Sequence, residues 1–321
     1  MDDIQESPAV RCIIDNRTAL LDELKSRQAI LRDYVRGVAL HYSTGAYIYG
    51  RPGTAKTHTV RDVLDRQLHE PYQYRRGHLT PGGLFELLEE YSESLIVLDD
   101  LAEIFKSDVA LQILLSALEQ PTTPDRTRVV QHQRQGKKKQ IAFRGGIICI
   151  SNRELHNGDL LAAFKSRVNV LNYSPSDEQI GAHLLAAAEL GWPLGAEKPA
   201  IAPDGTKQLA RHVIGEMARL GARLDLRLYF AKGIPNYLQW CDDQTESHWK
   251  DLVTATIAEH LVEMRHKDEQ LSRDQKKASE VAIVRDLLKL YPDSREEQLK
   301  EWTRQTHKSS RAFYRRLEEA T

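Results

Sequence analysis

The chain has 321 residues, of which 41 % are hydrophobic and 28 % charged, and its formal net charge is −1. That length provides for two or three domains with sizeable cores. The near-neutral balance excludes nucleic-acid binding through overall basicity and leaves local patches as the only route. Cys12, Cys149 and Cys241 are odd in number and far apart, with neither metal-ligand spacing nor a disulfide framework, which fits a reduced, cytoplasmic setting. Residues 1–11 carry Asp2, Asp3 and Glu6, the wrong charge for a signal peptide. No apolar run approaches the ~18 residues of a membrane span.

Residues 1–16 are polar and are expected to be loosely held. Residues 17–41 have helical spacing, with Leu20, Leu21, Leu24, Ile30, Leu31, Tyr34, Val35 and Val38 apolar. Ile30, Leu31 and Val35 are assigned either to the wall of a base pocket or to plain helix packing. Ala46 to Tyr49 reads as a buried strand that Gly50 ends. Gly50 to Thr57 then match G-x-x-x-x-G-K-[ST], except that Ala55 replaces the second glycine. Val60, Val63, Leu64 and Leu68 resume a helical period. Strand, tight loop and helix in that order are what a phosphate-binding loop needs. Such a loop aims backbone N–H groups at phosphate oxygens, and the helix N-terminus adds partial positive charge. The predicted nucleotide-contacting set is Gly50, Pro52, Gly53, Thr54, Ala55, Lys56, Thr57 and His58. Lys56 would reach the β and γ phosphates, and the Thr57 hydroxyl would hold Mg²⁺.

Tyr72 to Tyr74 is expected to be a short strand running into a basic loop that begins Arg75-Arg76, and Leu84 to Tyr91 an amphipathic helix. Ser94-Leu-Ile-Val-Leu-Asp99-Asp100 follows. Its apolar run predicts a central parallel strand, and carboxylates at a strand's carboxyl end lie where ligands bind in open α/β sheets. Asp99 is placed to hold the Mg²⁺ shell and Asp100 to polarise the attacking water. Residues 103–119 predict another helix. Residues 126–144 hold seven Lys or Arg and no Asp or Glu. Val129-Val130 and Ile141-Ala142-Phe143 flank Gln135 to Lys139, a β-hairpin pattern with a basic tip. Ile147 to Ile150 is a second buried strand ending in Ser151-Asn152-Arg153. Asn152 is the polar residue predicted beside Asp99 and Asp100.

Residues 159–167 predict a short helix and Val168 to Leu171 the last core strand. From 176 to about 240 the pattern is helical, with loops at 191–205. Residues 246–274 read as a long amphipathic helix. The tail, 279–321, reads as three short helices in a helix-turn-helix shape, with His307 and Lys308 in the last turn. The last helix, with Arg311, Arg315 and Arg316 beside Tyr314, would be the DNA reader; a solvated basic helix is the alternative.

Together these residues resemble the AAA+ ATPase family across about 48–230. Gly50–Thr57 stands for Walker A, Leu95–Asp100 for Walker B and Ser151-Asn152 for sensor 1. Arg167 holds the arginine-finger position, and Arg227 that of sensor 2, with Arg223 as runner-up. The resemblance implies an α/β fold: a P-loop αβα sandwich with a parallel sheet (1–173), an α-helical lid (174–245) and a C-terminal helix-turn-helix-like helical domain (246–321). It further implies ATP and Mg²⁺ as cofactors and a homo-oligomeric ring, commonly a hexamer, with the site between subunits. Lys56, Asp100, Asn152, Arg167 and Arg227 would then be the catalytic set, with Arg167 reaching the neighbour's γ-phosphate. Asp100 stands where many members have Glu, a pattern similar to replication initiators, helicase loaders and transposition ATPases. The hairpin is similar to the pre-sensor-1 hairpin of the helicase branch.

Three functions follow as expectations. In a DNA motor, Lys137, Lys138 and Lys139 track backbone phosphates, with Arg75 and Arg76 as a second contact. A helicase loader or transposition regulator would instead assemble on DNA and recruit a replication or transposition protein. A protein remodeller is disfavoured, because the Arg75-Arg76-Gly77-His78 segment is polar and basic rather than aromatic.

Overall fold

The computed structural model describes residues 7–67, 71–134, 137–155, 158–196, 200–292, 294–306 and 308–320. It divides into two compact units, Met1–Val253 and Thr254–Thr321.

The first unit is built on a five-stranded parallel sheet. Its strands are β1 (Gly45–Tyr49), β2 (Gln73–Arg76), β3 (Ile96–Asp99), β6 (Ile147–Ser151) and β7 (Asn169–Asn172), in the order β2-β3-β6-β1-β7. Side chains alternate faces along each strand. Tyr47, Ile96, Leu98, Ile147 and Cys149 therefore join one core, which is completed by α4 (Pro81–Glu90) and α5 (Asp108–Ala117) through Leu84, Leu88, Ile113 and Leu114. Ala46, Ile48, Val97, Ile148 and Ile150 join the opposite core. There they meet α2 (Arg17–Ala39) through Leu31, Val35 and Val38, and α3 (Lys56–Gln67) through Val60 and Leu64. Covering on both faces is why β1, β3 and β6 read as unbroken apolar runs. Truncating one such leucine to alanine costs about 2–5 kcal/mol. Leu31 and Val35 are thus core residues, while Ile30 is exposed.

Several elements differ from expectation. Residues 8–15 form a helix, α1 (Pro8–Asp15), rather than a loose end. Proline opens it with a preset φ, and Val10 and Ile13 are buried. Arg75 and Arg76 lie within the edge strand β2, not in a loop. The expected helix over 103–119 is interrupted: a 3-10 turn (Ile104–Lys106) precedes α5, because Ser107 caps Ala110 N and restarts the helix. The last core strand, β7, lies at the sheet edge and is largely exposed.

The hairpin of β4 (Arg128–Arg134) and β5 (Lys137–Phe143) is a separate two-stranded antiparallel ribbon, with Arg128 opposite Phe143 and Arg134 opposite Lys137. Its connecting pair, Gln135 and Gly136, lies outside the described residues. A short helix, α6 (Asp159–Lys165), leads to β7. After the sheet come α7 (Asp177–Ala188) and α8 (Pro203–Arg219), a π-helical turn (Leu228–Gly233) and α9 (Ile234–Cys241). Ser176 and Gln179 close a reciprocal capping box at the start of α7.

A single helix of 42 residues, α10 (Trp249–Leu290), replaces the two helices expected over 246–290. No glycine or proline interrupts it before Pro292. The second unit comprises the later part of α10 with α11 (Arg295–Thr306) and α12 (Ser310–Ala320). Val284, Leu287, Trp302 and Phe313 form its core. Glu280 pairs with both Lys308 and Arg316. His307, assigned to a turn, lies outside the described residues. Among the described residues no helix is long and apolar enough to cross a membrane.

Candidate nucleotide site

Because the sheet is parallel, the loops after β1, β3 and β6 leave from one edge. The Gly50–Thr57 loop, the Asp99–Asp100 pair and Asn152 converge there. Gly50 sits where a Cβ would fall 2.0 Å from the Tyr173 carbonyl oxygen, so only glycine lets the loop leave β1 beside the strand-to-lid connection. Ala55 adopts a left-handed conformation, φ 65°, the conformation that the glycine of the pattern supplies without strain.

Lys56 is buried at the start of α3. Its ammonium donates to the carbonyls of Gly50 at 2.8 Å and Arg51 at 2.7 Å, and to Asn152 Oδ1 at 3.3 Å. Burial, then the charge of Arg227, pulls its pKa down to about 8, against the opposing pull of Asp99, Asp100 and Asp225. Thr57 Oγ1 donates to Asp99 Oδ2 at 3.0 Å, and the Tyr74 hydroxyl donates to that same carboxylate oxygen. Burial and then the Asp99 contact push the Tyr74 hydroxyl up to about 12. Asp100 is exposed, at φ 56°, and accepts from Asn152 Nδ2 at 3.4 Å. Aspartate tolerates the left-handed region better than most residues.

The segment between α8 and α9 closes on the phosphate loop. Leu226 N donates to the Gly53 carbonyl at 3.0 Å. The Asp225 carboxylate packs so closely on Gly53 that a Cβ there would come within 2.0 Å of Oδ1. Asp225 Oδ1 also accepts from Arg227 N at 2.8 Å. The Arg227 side chain is 60 % exposed, and its charge reaches Lys56. Arg51 Nη1 pairs with Asp177 Oδ1 at 2.5 Å, and the same oxygen accepts from Leu224 N at 2.9 Å. His58 is exposed, and its charge adds to burial in lowering the His183 pKa on α7.

The donor set fits a magnesium nucleotide. A buried ammonium, a hydroxyl touching a carboxylate, and a second carboxylate touching an amide stand together at one strand edge. Arg167 is not brought to this group within the chain. Its carbonyl accepts from Thr44 Oγ1 at 3.4 Å, at the amino end of β1, and its Nη1 donates back to Ala163 O at 3.0 Å. Lys138 and Lys139 lie on β5, with Lys139 paired to Glu89 at 2.6 Å; Lys137 is opposite Arg134. The Arg75 guanidinium stacks over Tyr91 at 5.6 Å, and Arg76 is exposed. Arg311, Tyr314 and Arg315 are exposed on α12.

Four residues of the site had no sequence signal: Tyr74, Arg51, Asp177 and Asp225. Tyr74 was legible only as a strand residue, although its parallel register with Val97 is what carries it toward Asp99. The two lid aspartates needed the tertiary fold.

No protein-family profile matches the chain, and no curated protein matches it. Solved structures do. PCH-2 from C. elegans matches at 12 % identity over 77 % of this chain and 69 % of that one, with a TM-score of 0.37. Cdc6p from Pyrobaculum aerophilum matches at 17 % identity over 86 % and 78 %, TM-score 0.40. A point mutant of RuvB from Thermotoga maritima matches at 11 % identity over 70 % and 72 %, TM-score 0.32. The parallel α/β sheet with its helical lid and helical C-terminal unit stands on the chain's own topology, and likeness at this level assigns no activity.

Proposed function

We propose that the chain is a Mg²⁺-dependent ATPase of AAA+ type that acts on DNA. The observation that carries the ATPase reading is the meeting of Lys56, the Thr57–Asp99 pair and the Asp100–Asn152 pair at the carboxyl ends of β1, β3 and β6. Thr57 and Asp99 would hold Mg²⁺, which supplies charge neutralisation at the phosphates. Lys56 would exchange its bonds to the loop carbonyls for phosphate oxygens. Asp100 would accept a proton from water oriented by Asn152, and Arg227 would lend positive charge from the lid. Arg167 would complete the site of a neighbouring subunit in a homo-oligomeric ring, a hexamer in this reading. Residues 1–173, 174–245 and 246–321 would be core, lid and DNA-reading domain.

The basic ribbon supports DNA as the partner, with Arg311 and Arg315 of α12 as a second contact. The test is phosphate release with and without DNA. Replacing Lys137, Lys138 and Lys139 together by alanine should abolish DNA stimulation and leave basal hydrolysis; unchanged stimulation removes DNA tracking by the ribbon. Asp100, one methylene shorter than glutamate, favours a second reading as a slow switch, a helicase loader or transposition regulator. A forked duplex separates the two, because a motor unwinds it and a loader does not.

A further inference from the structure

Five buried side-chain polar atoms have no hydrogen-bond partner among the described residues. Two belong to Arg51 at the loop–lid contact. The other three, Ser43 Oγ, Arg126 Nε and Arg128 Nη1, lie toward the opposite, amino end of the sheet, where β1 and β6 begin. Arg128, the first residue of β4, is 5 % exposed. Its Nε donates to Phe143 O at 3.3 Å, its Nη2 donates to Gly145 O, and its guanidinium lies 5.0 Å from the Phe143 ring centre. Two residues on from Gly145, Ile147 N donates to Thr44 O at 3.1 Å, which brings the corner Leu40–Ser43 after α2 to the same place.

The charges here are of one sign. Burial and then Arg126 pull Arg128 down to about 10, and no carboxylate among the described residues opposes them. His41 is lowered by burial, then by Arg126 and Arg128. The nearby Asp125 is engaged by Thr127 and, at 3.6 Å, by Arg144. The carbonyl end of α2 tempers the repulsion but leaves those donors unmet. His41 and Arg126 both hold left-handed backbone, φ 61° and 60°, although neither is glycine. Strained residues and orphaned buried donors are each unusual and each gather at functional sites. Tyr42, inside the corner, is 86 % exposed.

We propose that Ser43, His41, Arg126 and Arg128 form an oxyanion site that takes a phosphodiester of a nucleic-acid strand, with Tyr42 as the stacking platform for an adjacent base. Guanidinium forks and a hydroxyl suit phosphate oxygens, and an exposed aromatic residue between His41 and Ser43 suits a base. The site opens the strand β4, whose far end at Arg134 lies ~20 Å away. The inference rests on the DNA reading and adds a contact separate from the tip.

The experiment measures binding of labelled single- and double-stranded oligonucleotides by the full-length protein across a salt series. Arg126→Ala should weaken binding roughly tenfold and lower the slope of log affinity against log salt by ~1. Tyr42→Ala, at an exposed position that the fold does not need, should weaken single-strand binding roughly tenfold. Fluorescent ATP-analogue binding should be unchanged in both, reporting an intact fold. If both variants bind DNA like the parent while the Lys137–Lys138–Lys139 variant is weakened, the oxyanion site is overturned and the ribbon reading stands. If the parent binds no DNA, both fall. If Arg126→Ala loses binding to a polyglutamate peptide and not to DNA, the site serves carboxylates of a protein partner, and the phosphodiester assignment is overturned.

Discussion

The Thr57 hydroxyl donates to Asp99 Oδ2 at 3.0 Å, tying the first turn of α3 to the end of β3. These groups leave two different strands of the sheet, so their contact depends on the whole parallel core. Thr57→Ala and Asp99→Asn should each lower the Mg²⁺-dependent hydrolysis rate by roughly 10²–10³-fold. Steady-state phosphate release checks this, and a rate within a few-fold of the parent would remove the Mg²⁺ assignment.

Tyr74 holds the same carboxylate from the neighbouring strand. Groups that orient a metal-binding carboxylate typically contribute ~10–100-fold to metal affinity or activity. Tyr74→Phe should raise the Mg²⁺ concentration for half-maximal hydrolysis roughly tenfold while nucleotide binding without metal stays constant. A Mg²⁺ titration of activity measures the first, and equilibrium binding in a chelator the second.

Lys56, lowered to about 8 by burial, carries its proton less tightly than an ordinary lysine. Phosphates favour the charged ammonium, so nucleotide binding should take up protons at and above pH 8, and affinity should fall as pH rises through that region. In the free protein the sign is opposite: the unfolded chain holds this proton more tightly, so this group's burial penalty is relieved as pH rises from about 8 toward the ordinary lysine value. Calorimetry at pH 8.5 in two buffers of different ionisation enthalpy detects the uptake. Buffer-independent heats would show that Lys56 does not meet phosphate.

Ala55 holds φ 65°, where an alanine is strained and a glycine is not. Ala55→Gly should stabilise the folded chain by up to about 1 kcal/mol, net of the unfolded-state entropy that glycine adds. Thermal melts check the sign, and destabilisation would mean that the methyl group makes a contact outweighing the strain.

Lys56→Ala should abolish nucleotide binding. Arg167→Ala should leave binding intact and stop hydrolysis, since the Arg167 backbone lies at the amino end of β1 and its side chain donates back to Ala163 O rather than to its own chain's loop. Normal turnover in Arg167→Ala would end the shared-site reading while leaving the loop assignment in place.

The readable parts of this protein are those whose signal is local. Strands β1, β3 and β6 announced themselves because both of their faces are covered, so each carries an apolar run: Ala46–Tyr49, Ile96–Leu98 and Ile147–Ile150. The strand–loop–helix order around Gly50–Thr57 was readable from residue type and spacing alone. The edge strands β2 and β7 were blurred, because Arg75, Arg76 and Asn169 belong to strands exposed enough to carry polar side chains. The start of α1 was missed because two buried residues, Val10 and Ile13, are too few to show a period. Asp177 and Asp225 were illegible for a different reason: each acts through a partner more than a hundred positions away, Arg51 and Gly53 respectively.

That last relationship has a mechanical meaning. Gly53 gives its carbonyl to Leu226 and its bare α-carbon to the Asp225 carboxylate, while Arg51 is gripped by Asp177. The segment that bears Asp225 and Leu226 also carries Arg227. If the proposed nucleotide binds there, the cradle and its cover would form one lever: occupancy of the loop would be felt at once by the helices above it, with no separate relay between the two.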